Sequence, residues 1–315
     1  MLPLVSVIIP TYKHRDYVLE SIASVRAQTF TDWELIVVND GSPDDTHTVL
    51  QPLAQAGVIR YIRQENQGQA AARNRGLAEA RGEFIAFLDD DDAWPSDSLE
   101  WRVRALQSQP EVGVVCGVYR PLGSTDTSGF DLDGRGVEIT FGDVFNGCPC
   151  VSPGQALLRA SVLRQVGGFE TALWGTDDYD LWMRLCRVTH MQRQHRLSLY
   201  YRLHATNASR QSLRMFRNVW RVLWRGLESA RPEERRALLR RGCGALYQYH
   251  AQQFTWEWRQ QLLRGEFARC GQSWAGLAQM VWIAARYEPA LLRRIAHDVV
   301  TRDLRKIMTT PSREA

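Results

Sequence analysis

The stretch that decides the fold is EFIAFLDDDD, residues 83–92. It joins an apolar run of strand length directly to four consecutive aspartates. An apolar run without alternation is typical of a strand that is buried on both faces, as in a parallel sheet. The sequence therefore predicts a central strand over residues 83–88, whose carboxyl end presents four neighbouring carboxylates.

Similar apolar runs lie on both sides of this stretch and alternate with segments of helical period. Further strands are predicted at 4–10, 34–38, 58–62, 112–118, 154–159 and 198–203, and helices at 46–53, 69–80 and 177–187. Strand–helix alternation with short connections predicts an α/β fold with a mostly parallel sheet flanked by helices.

Local signals add three expectations to this outline. Asp16 is expected to cap the first helix, and Thr176 is expected to cap the helix at 177–187. Residues 119–150 are rich in Gly and Asp and poorly periodic, which predicts loops with a hairpin.

Polar side chains follow two other predicted strands at their carboxyl ends. Thr11 and Tyr12 follow the first strand, and Asn39 and Asp40 follow the second. Ligands of open α/β sheets bind at this edge, so we expect these groups to meet the four aspartates there. Tyr12 beside Asp40 would give an aromatic ring and a hydrogen-bond acceptor, which suits a nucleotide base. The chain lacks a G-x-x-x-x-G-K-[ST] loop and a G-x-G-x-x-G after the first strand, which disfavours kinase-like ATPases and Rossmann dehydrogenases.

The four aspartates require an explanation because neighbouring carboxylates repel one another. A divalent cation such as Mg²⁺ or Mn²⁺ would relieve the repulsion, taking one or two carboxylates and completing its shell with water and phosphate oxygens. A solvated acidic turn ahead of the next helix is the alternative. We favour the cation, since a buried strand directs the carboxylates to the predicted binding edge.

A second acidic group, Asp177 and Asp178, begins the predicted helix at 177–187. Acids in a first turn suit the helix dipole without any catalytic role. Alternatively, one of them is a general base that takes a proton from an attacking hydroxyl. The sequence leaves both interpretations open. His204 follows a predicted strand, and a lone histidine there carries no function by itself.

The composition is that of a globular protein, with 315 residues of which 44% are hydrophobic. The net charge of +4 conceals an uneven distribution. Residues 1–209 hold 19 basic and 26 acidic side chains, a net of −7, whereas residues 210–315 hold 20 and 9, a net of +11. The sequence thus predicts an acidic module joined to a basic one.

Cysteine usage and the amino-terminal run predict a cytoplasmic protein. The six cysteines form no C-x-x-C pair, which is typical of thiols in a reducing compartment. The first residues lack a basic segment and a cleavage site, so we expect a strand there and no signal peptide. The longest later apolar stretch, 274–285, is shorter than the ~20 residues that span a bilayer.

The motifs together resemble the family-2 glycosyltransferases of the GT-A fold. The resemblance rests on VSVIIPTY at 5–12, VVNDGS at 37–42, FLDDDDAW at 87–94, and DDYDLW at 177–182. Gln67-Gly68 through Ala72-Arg73-Asn74, Gly167-Gly168-Phe169 and Tyr201-Arg202-Leu203-His204 match further family segments. The resemblance covers residues 4–209 and does not extend to residues 210–315, which we call the tail.

The resemblance implies roles for particular residues. The nucleotide would be held by Pro10, Thr11, Tyr12, Asp40, Arg73, Asp89 and Asp90. Asp89 and Asp91 would be the two acids of the D-x-D motif, with Asp91 as the metal ligand and His204 near the metal or the diphosphate. Asp178 would be the catalytic base with Asp177 as its helper. Asp177 stands where the family usually has Glu, so the two roles could be exchanged, and Asp90 stands where a small residue is usual.

The resemblance also implies an activity. The implied reaction is an inverting, Mn²⁺- or Mg²⁺-dependent transfer of a sugar from a nucleotide-diphosphate donor. We expect the donor to be a UDP-sugar. The acceptor would be a hydroxyl of a glycan or a lipid-linked precursor in cell-surface polysaccharide synthesis. A sugar-nucleotide pyrophosphorylase is disfavoured because no Gly-rich loop ending in Arg and Lys follows the first strand. A non-catalytic nucleotide-binding scaffold on the same fold is the other alternative.

The tail defines the predicted domain organisation. We expect a catalytic domain at 1–209, with its nucleotide-binding part at about 1–118 and its acceptor part at about 119–209, and a helical region at 210–315. Helix breaks are predicted near Pro232, Trp256 and Pro289. A helix at 212–227 would place apolar residues on one stripe and four arginines on the next. Such a helix lies on an anionic membrane surface at the inner face of the membrane, binds a partner helix, or packs on the catalytic domain with its arginines solvated. Nucleic-acid binding is not expected.

Overall fold

A computed structural model describes residues 2–124, 136–204, 212–251 and 267–293, together with positions 254, 257, 261 and 264. Its strands are β1 (Val5–Thr11), β2 (Trp33–Asp40), β3 (Arg60–Gln64), β4 (Phe84–Phe87), β5 (Val112–Pro121), β6 (Gly136–Ile139), β7 (Ala156–Arg159) and β8 (His190–Tyr201). Its helices are α1 (Arg15–Arg26), α2 (Thr46–Gln55), α3 (Gln69–Glu79), α4 (Ser98–Ser108), α5 (Phe141–Phe145), α6 (Ala160–Gln165), α7 (Asp177–Leu185), α8 (Ser212–Ser229), α9 (Pro232–Leu246) and α10 (Phe267–Tyr287).

The strands form one sheet in the order β3-β2-β1-β4-β7-β5-β8-β6. The first four are parallel to one another, as the sequence predicts. Thr11 pairs with Asn39 across β1 and β2, and Ile8 pairs with Phe87 across β1 and β4. This register brings the carboxyl ends of β1, β2 and β4 to the same edge of the sheet. The predicted α/β fold is therefore confirmed in the part of the sheet where the candidate site lies.

The second half of the sheet is mixed. β7 lies between β4 and β5 and runs antiparallel to both. β6 pairs with β8 and not with β5, so the predicted hairpin within 119–150 is wrong for the described residues. Residues 125–135 of that region lie outside them.

The core lies between the sheet and the helices on its two faces. On one face Val18, Ile22 and Val25 of α1 are buried against the apolar residues of the sheet. Fully burying such a side chain contributes about 1.5–3 kcal/mol. On the other face, α3 approaches so closely that a Cβ at Gly76 would lie 2.4 Å from Cγ2 of Ile8. Glycine therefore sets how near α3, which carries Arg73, can lie to the sheet.

Two helix caps differ from the sequence prediction. The residue at the N-cap of α1 is His14, and Asp16 lies within the first turn. Thr176 does occupy the N-cap of α7, but its side chain makes no capping hydrogen bond and donates instead to the carbonyl of Leu173, at 3.3 Å. Both helices begin without a side-chain cap, so tertiary contacts hold their first turns.

The chain forms two compact units, residues 1–144 with 148–207 and residues 145–147 with 208–315. In the second unit α9 begins at Pro232, and Pro289 follows the end of α10, as predicted. The predicted break at Trp256 lies outside the described residues. None of the helices that the structure describes is both long and apolar enough to cross a membrane. That the first unit is the catalytic domain stays a prediction.

Candidate active site

The edge of the sheet where β1 and β2 end is built around two carboxylates. Tyr12 follows β1, and its backbone N–H donates to Oδ2 of Asp90 at 3.1 Å. Nδ1 of His14 lies 2.9 Å from the other oxygen of Asp90, and this hydrogen bond is the main cause that raises the pKa of His14. Lys13 lies between them with a φ of 64°, a conformation that costs free energy in a residue other than glycine. The turn is therefore held in a strained form by Asp90.

Asp40 is buried, and both of its carboxylate oxygens accept hydrogen bonds from the end of β3 and the loop that follows it. Its Oδ1 accepts hydrogen bonds from the amide of Gln67 at 2.9 Å and the side chain of Gln64 at 2.7 Å. Its Oδ2 accepts from the amide of Gly68 at 2.8 Å. Asp40 thus fixes the loop that leads into α3, next to the edge that Tyr12 reaches.

The β1 residues ahead of Tyr12 are buried, Pro10 and Thr11 included. The hydroxyl oxygen of Thr11 has no hydrogen-bond partner among the described residues. A buried hydroxyl without a partner is costly, which makes Thr11 suited to receive a ligand at this edge. The nucleotide-binding role of Pro10 and Thr11 stays a prediction.

The four aspartates after β4 have four different sets of partners. Asp90 holds the turn after β1, and Asp89 lies beside Arg73, with Nη2 and Oδ1 2.6 Å apart. Oδ2 of Asp91 lies 2.7 Å from Nε2 of His204. Oδ1 of Asp92 accepts from the amide of Arg202 at 2.9 Å, and burial raises the pKa of Asp92 well above its ordinary value. The four aspartates are identical in sequence, but each has different partners in the structure and therefore a different role in holding the site.

The turn that contains the aspartates is held from α1 and from the turn before β7. The hydroxyl of Ser21 lies 2.6 Å from the carbonyl oxygen of Asp92. The hydroxyl of Ser152 donates to Oδ2 of Asp89 at 3.0 Å, and Nε2 of Gln69 donates to Oδ1, also at 3.0 Å. Both carboxylate oxygens of Asp89 are thus occupied, by two side chains of α3 and by the turn before β7.

Ser152 reaches Asp89 because the turn that carries it is fixed from α4. The side chain of Arg102 donates to the carbonyls of Gly154 and Ala156 at 3.2 and 3.0 Å, and the indole of Trp94 donates to Gly154 at 2.8 Å. Burial lowers the pKa of Arg102 to about 9. This buried cation therefore holds the position of the serine that contacts Asp89.

Arg73 joins the two acidic groups of the sequence. The residue is 2% exposed, with Nη1 2.7 Å from Oδ2 of Asp177 and Nη2 2.6 Å from Oδ1 of Asp89. Burial alone would lower the pKa of Arg73, but the two carboxylates raise it, so the side chain is charged. The ring of Phe169 lies against the guanidinium, 5.1 Å from its carbon. Arg73 therefore links the end of β4 to the start of α7.

Asp177 and Asp178 are adjacent in sequence but differ in their surroundings. Asp177 is 3% exposed and bound to Arg73. Asp178 is half-buried, and within the described residues its carboxylate accepts one hydrogen bond, from the amide of Tyr179 at 2.7 Å. Burial, followed by the charge of Asp177, raises the pKa of Asp178 to about 7. Asp178 is thus the carboxyl group suited to exchange a proton near neutral pH.

Asp91 and His204 are the side chains that could hold a divalent cation. Burial and the neighbouring charges of Asp89 and Asp90 raise the pKa of Asp91, so a positive charge beside it would be stabilising. No group of three or more His, Cys, Asp or Glu is arranged for a metal within the described residues. One carboxylate and one imidazole would leave the rest of the coordination shell to water and phosphate oxygens, a donor set that suits Mn²⁺, so the two residues fit a divalent cation.

The sequence did not identify Ser152, Gln69, His14 or Ser21 as site residues. The Ser152-Pro153-Gly154-Gln155 segment forms a capping box at a short 3₁₀ turn, which was a signal for a turn but not for its contact with Asp89. The other three side chains have no signal in their own neighbourhoods, because their partners lie far along the chain.

The family model of glycosyl transferase family 2 matches residues 6–167. An uncharacterized glycosyltransferase of Rickettsia prowazekii (strain Madrid E), RP339, is 34% identical over 227 residues, which cover 69% of this chain and 70% of that protein. A Bacillus subtilis (strain 168) glycosyltransferase named for teichuronic acid biosynthesis, TuaG, is 44% identical over 110 residues, which cover 34% of this chain and 43% of TuaG.

Solved structures share the fold at low sequence identity. Residues 1–349 of S. aureus TarS in complex with UDP-GlcNAc superpose with a TM-score of 0.69 at 17% identity, over 94% of this chain and 87% of that one. The mannosyltransferase PcManGT from Pyrobaculum calidifontis, in complex with GDP-Man and Mn²⁺, gives a TM-score of 0.61 at 20% identity, over 98% and 84%. Together with the sheet order, these matches identify the GT-A fold.

Proposed function

Because the chain belongs to glycosyl transferase family 2, we propose that it is an inverting enzyme that moves a sugar from a UDP-linked donor to a hydroxyl of a glycan or lipid-linked acceptor. The observation that carries the proposal is the ion-pair chain Asp89–Arg73–Asp177, which joins the D-x-D acids to α7 and leaves Asp178 beside it with a pKa of about 7.

In this mechanism Asp178 is the base. Its raised pKa allows it to take the proton of the acceptor hydroxyl, whose oxygen then attacks the anomeric carbon of the donor sugar. Asp177 is a positioning residue, because its carboxylate is bound to Arg73 and is buried. We therefore propose Asp178 as the base and Asp177 as its helper, the two roles that the sequence left open to exchange.

The nucleotide would lie at the edge formed by Pro10, Thr11, Tyr12, Asp40, Asp89 and Asp90, with Arg73 behind it. Tyr12 is 38% exposed at this edge, so its ring is available to stack on a base. Asp40 and Asp90 shape the site by holding the loop and the turn on either side. TarS with UDP-GlcNAc supports a UDP-linked donor for this chain by likeness of fold.

We assign the divalent cation to Asp91 and His204. When bound, a Mn²⁺ or Mg²⁺ ion supplies positive charge against the departing diphosphate. An imidazole donor favours Mn²⁺, since Mg²⁺ is bound almost entirely by oxygen. PcManGT with Mn²⁺ supports a metal for this chain, and Asp91 and His204 would hold it.

The biological setting is proposed from a relative. The name of TuaG places that protein in teichuronic acid biosynthesis, which supports a role for this chain in cell-surface polysaccharide synthesis. We propose that it acts in the cytoplasm at the inner face of the membrane, where nucleotide-sugar donors are available to it.

The experiment is nucleotide release from a panel of sugar donors with Mn²⁺ and glycan acceptors, for the unsubstituted chain and Asp178→Asn. We expect the substitution to lower kcat by about 10²–10⁴-fold, the usual contribution of a general base, while the thermal shift on adding UDP is unchanged. Asp16→Asn, at an exposed position on α1, is the matched control and should retain full turnover.

Two outcomes would contradict the proposal. Normal turnover by Asp178→Asn would remove the base assignment. No release from any donor, by a chain that still binds nucleotide, would identify a non-catalytic protein on this fold.

A further inference from the structure

An apolar helix face is exposed on the second unit. The outer side of α10 carries Trp274, Val281 and Trp282, which are 55%, 42% and 60% exposed. Ala278 and Ala285 lie among them and are exposed as well. Residues 271–285 contain no charged side chain. The inner side of the helix is also apolar, with Leu277, Met280, Ile283 and Ala284 buried in the core of the unit. A helix that is apolar all round normally lies buried, so its outer face indicates a binding surface.

Aromatic rings extend this face onto α8. Trp220 and Trp224 lie 5.6 and 5.8 Å from the ring of Tyr287, and Trp282 lies 6.1 Å from the same ring. Trp224 is itself 40% exposed. We name this continuous surface, from Trp224 through Tyr287 and Trp282 to Trp274, the aromatic face.

Arginines border the aromatic face. The exposed side of α8 carries Arg214, Arg217, Arg221 and Arg225. The side chain of Arg217 donates to Oε1 of Gln279 on α10 at 3.4 Å, which places the arginine stripe directly beside the face. On the other helix, Arg286 lies over the ring of Tyr287, 5.4 Å from its centroid. The border is strongly positive, since α8 holds only one acidic residue, Glu228.

We infer that the aromatic face binds the surface of an anionic lipid bilayer. Tryptophan and tyrosine prefer the boundary between acyl chains and headgroups, where the ring is apolar and its N–H or O–H reaches water. Alanine and valine between the tryptophans would enter the same boundary, and arginines at the edge would contact negatively charged headgroups. The partner must therefore present an apolar layer to the aromatic face and an anionic layer to the arginines at its border.

Other occupants match this surface less well. A glycan needs hydrogen-bond donors and acceptors between the aromatic rings, and the positions between Trp274 and Trp282 on the outer face are Ala278 and Val281. A second copy of the chain would bring the same positive border toward itself, and like charges oppose such an approach. The inference is independent of the proposed catalytic function, because it rests on the second unit alone.

The test is flotation of the full chain with vesicles of equimolar phosphatidylcholine and phosphatidylglycerol, and with vesicles of phosphatidylcholine alone. We expect binding to the anionic vesicles only, with a partition coefficient that falls as salt is added. Val281→Ser with Trp282→Ser, and separately Arg217→Gln with Arg221→Gln, should each lower that coefficient by about tenfold or more. Arg26→Gln with Arg104→Gln and Val137→Ser, at exposed positions of the first unit, are the matched controls and should bind as the unsubstituted chain does.

A second measurement needs no variant. Tryptophan fluorescence of the unsubstituted chain should be quenched by anionic vesicles with brominated acyl chains, because the exposed tryptophans enter the acyl boundary. The UDP thermal shift is measured on every sample, so a failure of nucleotide binding, which would contradict the proposed function, is distinguished from a failure to bind lipid.

The inference is overturned if the chain does not float with anionic vesicles, or if the Val281 and Trp282 substitutions bind as Val137→Ser does. It is also overturned if those substitutions dissociate a dimer without changing flotation, which would make the face a subunit interface. Tighter binding to a soluble acidic glycan than to the vesicles would assign the face to glycans instead.

Discussion

The first unit buries its decisive charges in pairs, whereas the second unit places its charges on the surface beside exposed aromatic rings. Arg73 is 2% exposed between Asp89 and Asp177. Arg217 and Arg221 on α8 are exposed, and Trp282 on α10 is 60% exposed. Buried charges require fixed partners, so they hold atoms in defined places, while exposed charges beside apolar rings are suited to a partner that is not part of the chain. Arginine thus organises buried contacts in the first unit, and in the second it lies exposed beside the aromatic face.

Replacing the buried arginine should have the largest effect. Arg73→Met leaves two buried carboxylates without a counter-charge, so we expect the free energy of unfolding to fall by about 3–5 kcal/mol. Arg75→Met, on the exposed side of the same helix, is the control and should change it by less than about 0.5 kcal/mol. Urea unfolding followed by tryptophan fluorescence measures both. Equal stability of the two variants would show that the buried pairs do not hold the first unit together.

The pH dependence of turnover should be the next largest effect. The base form of Asp178 exists above its pKa of about 7, so kcat should rise with pH through 7 and fall about tenfold for each unit below it. The charges of Asp177 and Asp89 raise the pKa of Asp178, and the charge of Arg73 lowers it. The thiol of Cys148 is a further titratable group near this carboxyl. Asp177→Asn removes one negative charge and should move the profile to lower pH. A profile with its midpoint near 4, the ordinary value of an aspartate, would show that the site does not shift the base.

Ser152→Ala should have a smaller effect, confined to the donor. It removes one hydrogen bond to Asp89, worth about 1 kcal/mol, so we expect the donor KM to rise about fivefold while kcat changes little. Ser152→Thr keeps the hydroxyl and is the control. Steady-state kinetics with varied donor distinguish the two, and an unchanged KM in Ser152→Ala would mean that Arg73 and Gln69 suffice to hold Asp89.

The exposed arginines should matter least to the fold. Arg217→Gln with Arg221→Gln should change the free energy of unfolding by no more than about 0.5 kcal/mol, because exposed charges contribute little to stability. Urea unfolding in the absence of lipid measures the change. A loss as large as that of Arg73→Met would remove the contrast between the two units.

Much of the fold could be predicted from short windows of sequence. The strands β1, β2 and β4 lie within two residues of their predicted bounds, because apolar β-branched runs have a local preference that the parallel sheet satisfies. The convergence of their carboxyl ends followed from that alternation. The hairpin within 119–150 was not predictable in the same way, since β6 pairs with β8, more than fifty residues further along the chain.

The sequence identified most of the candidate site residues, but it did not predict which of them contact one another. The two acidic groups and Arg73 stood out in the sequence, but nothing there indicated that one guanidinium joins both. Asp177 is 104 residues from Arg73 along the chain, and Ser152 is 63 residues from Asp89. Such contacts depend on how closely α3 and the turn before β7 approach the sheet, which no local pattern encodes.

The sequence by itself determined the strand–helix alternation, the edge at which polar groups collect, and the separation of an acidic region at 1–209 from a basic region at 210–315. These properties depend on residues a few positions apart, whose backbone preferences act locally. Only the tertiary structure decided that Asp177 is bound to Arg73 while Asp178 has a pKa of about 7, and that both tryptophans of α10 lie on the outer side of their helix. Burial and pairing are properties of distant residues brought together, and they set both the pKa of a carboxyl group and the exposure of a ring.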